Sequence, residues 1–124
     1  MGCIETIYDT SRNLTTFKAV GTMEAAYIND CLQRYYEAGV TAHALWDLSE
    51  AELSGLTSDE ISNLAQYGSQ LASNRAAGKT AIVFTSPFEY GLGRIFQTFV
   101  EMKATPVELK LFRSLDEAKQ WLGV

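Results

Sequence analysis

The sequence predicts an α/β fold: one sheet of about five mostly parallel strands with four helices, in the order β-β-α-β-α-β-α-β-α. Three observations predict it. Runs of strand length recur between longer runs with helical spacing of apolar residues. Three helix-start signatures, Thr57-x-x-Glu60, Ser86-Pro87-x-Glu89 and Ser114-x-x-Glu117, each follow closely on a strand-like run. The run TAIVFT at 80–85 is apolar throughout, as a parallel strand covered on both faces must be. Strands joined by helices imply right-handed crossovers. A chain of 124 residues is the size of one domain, so residues 1–124 are expected to form a single unit.

In chain order, Cys3–Asp9 (CIETIYD) alternates and reads as a strand. Thr10, Ser11, Arg12 and Asn13 form a polar turn, and 14–20 (LTTFKAV) alternates again, so the two strands are expected to pair as a hairpin that Gly21 ends. Thr22 is the expected N-cap of the first helix. Met23, Tyr27, Cys31 and Tyr35 make one stripe of that helix, Ile28, Leu32 and Tyr36 the next, and Gly39 suits its C-terminal cap. The stripe is broad enough to suggest self-association.

Residues 41–48 (TAHALWDL) form the next strand, with Ala42, Ala44, Trp46 and Leu48 on one face and His43, Leu45 and Asp47 on the other. An acidic loop spans 49–55. The second helix carries Ile61, Leu64, Ala65, Gly68, Leu71, Ala72 and Arg75 on one face and is expected to end at Gly78. Gly68 there suggests close approach to the sheet. The third helix should bury Phe88, Leu92, Ile95, Phe96, Phe99 and Met102 and stop near Pro106. The alternating run VELKLF at 107–112 suits a strand near an edge. Leu115, Ala118, Trp121 and Leu122 give the last helix its inner face.

The net charge is −5, and the ten Lys and Arg residues are scattered, which argues against nucleic acid and against anionic membrane surfaces. The acidic balance favours solubility and, weakly, a basic partner. No run approaches the roughly 18 apolar residues of a membrane span. The first thirteen residues lack the basic start and long apolar run of a secretory signal. Met1-Gly2-Cys3 with Thr6 loosely fits an acylation start, but the segment reads as strand. Cys3 and Cys31 form no CxxC pair and read as two reduced thiols, so the cytoplasm is the expected location.

Chemistry finds little purchase. His43 is the only histidine and sits mid-strand, so a histidine-based triad or metal site has no frame. Asp47, Glu50 and Glu52 bracket the acidic loop without a calcium-loop pattern. Gly91 and Gly93 lie within the third helix, beyond the strand-to-helix turn where a dinucleotide fingerprint needs its glycines; they suit close packing of that helix. No cofactor, no metal and no catalytic residue is expected.

The segments 45–61 (LWDLSEAELSGLTSDEI), 79–99 (KTAIVFTSPFEYGLGRIFQTF) and 107–122 (VELKLFRSLDEAKQWL), in that order and spacing, resemble a STAS-type domain of the SpoIIAA-like, anti-sigma-factor-antagonist-like branch. The resemblance covers nearly all of the chain after Thr22. It implies a non-enzymatic regulatory module that binds a protein partner. It also implies a serine near the helix after the DLS strand as the target of a partner kinase. The family context is D-S-[ST]-G; here it is Leu53-Ser54-Gly55, with leucine at the acidic position. Ser54 is the switch candidate, with Ser49, Asp47 and Gly55 beside it. The branch is also similar in fold to CRAL-TRIO lipid carriers, which implies a pocket for an apolar small molecule or lipid. Trp46, Tyr90 and Arg94 are the pocket candidates, with Tyr27, Tyr35, Tyr67, Phe88 and Phe96 as further aromatics. A homodimer is compatible with either reading.

Overall fold

The computed structural model describes residues 2–38, 41–72, 78–102 and 107–124. The elements are β1 (Cys3–Asp9), β2 (Leu14–Thr22), α1 (Ala25–Ala38), β3 (His43–Glu52), α2 (Ser58–Ala72), β4 (Gly78–Val83), α3 (Pro87–Glu101), β5 (Val107–Phe112) and α4 (Leu115–Leu122). Gly39, Arg75 and Pro106 fall outside the described residues. The sheet order is β1-β2-β3-β4-β5. β1 pairs antiparallel with β2, turning at Asn13, which adopts a left-handed φ of 52°. The remaining pairs are parallel.

Sequential strand order with right-handed crossovers sends α1, α2 and α3 to the same face. There they pack side by side, α1 on α2 and α2 on α3, while α4 crosses the opposite face over β3, β4 and β5. The main core lies under the three helices and includes Phe17, Tyr35, Ala44, Trp46, Ile82 and Phe84. A smaller core under α4 holds Leu14, Leu45, Ala81, Val83, Phe112, Ala118 and Leu122. The alternation of Ala44 and Trp46 against Leu45, and of Ile82 and Phe84 against Ala81 and Val83, divides these two clusters. β4 is thus covered on both faces and β5 is an edge strand. Cys31 is buried in the main core, and that burial raises its thiol pKa, whereas Cys3 is exposed.

Several boundaries differ from the sequence reading. β3 begins at His43, which is its first residue rather than a mid-strand one, and runs on to Glu52. Its pairing with β2 slips by one residue between Lys18↔Asp47 and Val20↔Glu50. This bulge keeps the strand paired through Gly21↔Ala51 and Thr22↔Glu52. Residues 49–52 are therefore strand, not loop. Gly21 continues β2 at a φ of 86°, which glycine adopts without strain. Thr22 ends β2 and gives its hydroxyl to Glu52 (3.4 Å) instead of capping α1. Gly78 opens β4 rather than closing α2: a Cβ there would meet the Ala42 carbonyl.

Glycines in the helices divide in an unexpected way. Gly93 is buried, and a Cβ on it would strike the Phe84 ring. Among the described residues, Gly68 and Gly91 have nothing within 4 Å of a Cβ, so neither marks close packing against them. In α3, Leu92 and Phe96 turn inward as expected, but Phe88, Ile95 and Met102 are exposed.

Candidate functional site

The carboxyl end of β3 and the turn after it form the best-defined polar constellation. Asp47 is only 6% exposed. Its Oδ1 accepts from the Ser49 amide (3.1 Å) and the Ser49 hydroxyl (2.6 Å), which holds the bulge. The Ser49 carbonyl in turn accepts from the Thr85 hydroxyl at 3.1 Å, tying β3 to the end of β4. Glu50 pairs with Lys18 at 3.4 Å on the surface. Asp47 and Ser49 therefore have structural partners, and the Ser49 hydroxyl is occupied.

Ser54 is placed differently. The Leu56 amide donates to the Leu53 carbonyl (3.0 Å), closing a turn with Ser54 and Gly55 at its exposed corner. Among the described residues the Ser54 hydroxyl has no hydrogen-bond partner. Both sides of the turn are anchored. Thr57 and Glu60 form the reciprocal capping box: the Glu60 amide donates to the Thr57 hydroxyl (3.1 Å), and the Glu60 carboxylate accepts from the Thr57 amide (3.0 Å). On the other side, Glu89 of α3 accepts from the amide of buried Leu53 at 3.0 Å. The result is an exposed, unencumbered serine on a braced turn, just before the positive end of a helix dipole.

Beneath the three helices lies an apolar cavity of about 150 Å³. Trp46, Ile82 and Phe84 line it from the sheet, Tyr35 from α1, Leu64, Gly68 and Ser69 from α2, and Leu92, Gly93 and Phe96 from α3. The missing side chain of Gly68 leaves part of this space open. Ser69 Oγ is buried with no hydrogen-bond partner among the described residues. Tyr90 and Arg94 lie outside the cavity wall. Tyr90 packs edge-on to Phe84, with the Arg113 guanidinium 4.7 Å from its ring centroid. Arg94 is exposed, and Tyr27, Tyr67 and Phe88 also lie outside the wall. His43 sits at the opposite end of β3 from Ser54. Among the described residues, no group of three or more His, Cys, Asp or Glu side chains is placed to hold a metal ion. No helix among them is long and apolar enough to cross a membrane.

No protein-family model and no curated protein matches the chain. Solved structures do. An anti-sigma factor antagonist from Mycobacterium paratuberculosis superposes with a TM-score of 0.65 at 13% identity, covering 100% of this chain and 96% of that one. The fold is SpoIIAA-like. SpoIIAA itself, in its unphosphorylated form, gives a TM-score of 0.58 at 12% identity, covering 98% of each chain. A DUF3478-family protein with a SpoIIAA-like fold, from Shewanella loihica PV-4, gives 0.58 at 22% identity, covering 98% of this chain and 93% of that one.

Within this SpoIIAA-like chain, sequence reasoning missed three contributors. Glu89 reads locally as the third residue of a capping box with Ser86. Instead Ser86 makes no side-chain cap bond, and the carboxylate spans to β3. The competing partner, a buried amide that has left the sheet ladder, is invisible to local spacing. Thr85 and Ser69 carried no signal at all. Glu89→Ala is expected to cost about 1–3 kcal/mol by leaving the Leu53 amide unpaired. Glu89→Gln, which keeps an acceptor, should cost less; urea unfolding of both variants measures the difference.

Proposed function

We propose that this chain is a regulatory module that works by binding a protein partner at the Ser54 turn, without catalysing a reaction. The observation that carries the reading is the exposed Ser54 hydroxyl, free of partners among the described residues, on a turn braced by Glu89 and by the Thr57–Glu60 box. Its support from outside is the fold shared with anti-sigma factor antagonists. Phosphate on Ser54 would add a charge of about −1.5 to −2. The α2 amino end attracts that charge, while Asp59 and Glu60 in its first turn, already seated there, oppose it. The turn would be altered electrostatically with its backbone still held, which suits a switch of partner affinity.

Incubation with cell lysate and ATP, followed by phosphosite mapping, is expected to find Ser54 modified. Ser54→Asp is expected to change partner binding about tenfold or more relative to Ser54→Ala, which a shift of about 1.4 kcal/mol would produce. An unmodified Ser54, together with a Ser54→Asp variant that binds every partner normally, would overturn the reading.

The cavity favours a second reading, a binder of small apolar molecules. An apolar space of about 150 Å³ is large enough to admit a molecule of benzene size. Ser69 adds one unsatisfied hydroxyl, so a phenol or short-chain alcohol suits it better than a pure hydrocarbon. Gly68→Leu should fill the space and raise helix propensity by about 1 kcal/mol. The expected result is a higher thermal midpoint together with loss of phenol binding by calorimetry. Undetectable phenol binding by the unmodified chain would remove this reading and leave the first intact.

A further inference from the structure

We propose that the outer face of α3 is a self-complementary surface at which two copies of the chain pair, their α3 helices antiparallel. Phe88, Ile95 and Met102 recur at intervals of seven and are 57%, 41% and 74% exposed. A seven-residue interval holds a row on one side of a helix. Gly91 and Thr98, both exposed and small, form the adjacent row, and exposed Arg94 and Glu101 form the row beyond it. Among the described residues neither Arg94 nor Glu101 has an ion-pair partner.

These rows match themselves when reversed. Turning a second α3 end for end about an axis near residue 97 sets Ile95 over the second copy's Thr98, and Met102 over the second copy's Gly91. The same register brings Arg94 beside the second copy's Glu101. Two-fold symmetry makes every contact twice. Large residues thus meet small ones, as close helix packing requires, and each unpaired charge meets its opposite. Gly91 gains a purpose by this. Its Cβ would meet nothing within 4 Å among the described residues, yet glycine there weakens the helix relative to alanine.

A membrane surface fits the face less well, since it carries one cation and one anion in a chain of net charge −5. The apolar excess expected on α1 lies instead on α3: Cys31 and Tyr35 are buried, and only Tyr27 of that stripe is exposed. A single helix pair is smaller than the standard interface of about 1,600 Å², so the dimer is expected to be weak. The proposal stands apart from the Ser54 turn and from the cavity.

Sedimentation velocity from about 5 μM to 1 mM tests it, a range suited to micromolar to millimolar dissociation constants. The unmodified chain is expected to dimerise as concentration rises. Arg94→Glu and Glu101→Arg should each weaken the dimer by about tenfold or more, since both pairs become like-charged. Combining the two substitutions in one chain should restore the homodimer. Mixing the two single variants should give a heterodimer tighter than either homodimer. Ile95→Asp, at an exposed position, should abolish association while circular dichroism stays unchanged. A chain that remains monomeric throughout would overturn the proposal. So would a dimer indifferent to these charges, or an α3 face that captures only a different protein.

Discussion

Phe17→Ala is expected to lower the unfolding free energy by about 3–5 kcal/mol. Phe17 is 1% exposed on β2 and faces the three-helix side of the sheet. Its ring stacks on Trp46 at 4.0 Å and 16°, and meets Tyr35 edge-on at 5.3 Å and 87°. It therefore joins β2, β3 and α1 through aromatic contacts that add to its area burial. The surroundings cannot close over the gap. Tyr35 is fixed through its hydroxyl, which donates to the Thr41 carbonyl at 2.9 Å. Trp46 and Tyr35 also border the existing cavity, so both already lack neighbours on one side. Against a total stability of about 5–15 kcal/mol for a domain, such a loss is a large fraction. Urea unfolding followed by tryptophan fluorescence should show a lower midpoint with an unchanged slope. A loss under about 1 kcal/mol would mean that Tyr35 and Trp46 collapse into the space.

The element order was legible because its signals are local. Alternation in 14–20, the apolar run after Lys79 and the Thr57–Glu60 and Ser114–Glu117 boxes each depend on residues within a few positions. The Ser114 cap is present, with its hydroxyl accepting from the Glu117 amide at 3.4 Å. Features set by distant partners were not legible. The β2–β3 bulge extends β3 because a neighbouring strand is there to pair with, and the acidic run after Leu48 hides it. Glu89 answers a buried amide 36 residues away. Gly68 and Gly93 have the same local appearance, yet one borders open space and the other touches a ring. The Ser54 turn was found through family resemblance. Of its two braces, the Thr57–Glu60 box was legible in the sequence, and Glu89 came from the three-dimensional arrangement.

Leu122→Ala is expected to cost about 2–5 kcal/mol and to release α4 before the rest of the chain. α4 has eight residues, and helices shorter than about 12–15 residues are marginal alone. It persists through its ends and its inner face. The Gly123 amide, at a left-handed φ of 81°, donates to the Lys119 and Gln120 carbonyls. The Lys79 ammonium donates to the Trp121 carbonyl at 3.0 Å, where the helix dipole favours a cation. Ala118 and Leu122, 0% and 4% exposed, then seal Leu14, Leu45, Ala81, Val83 and Phe112. With α1, α2 and α3 on the opposite face, α4 is the only described helix over this cluster. Shortening Leu122 removes one of its two fully inward side chains and opens a gap in the cluster that Leu115, Trp121 and Val124 only partly cover. Hydrogen exchange should show the α4 amides losing protection while those of α1 and α2 keep most of theirs. A uniform fall in protection across all four helices would instead show that both faces of the sheet unfold as one unit.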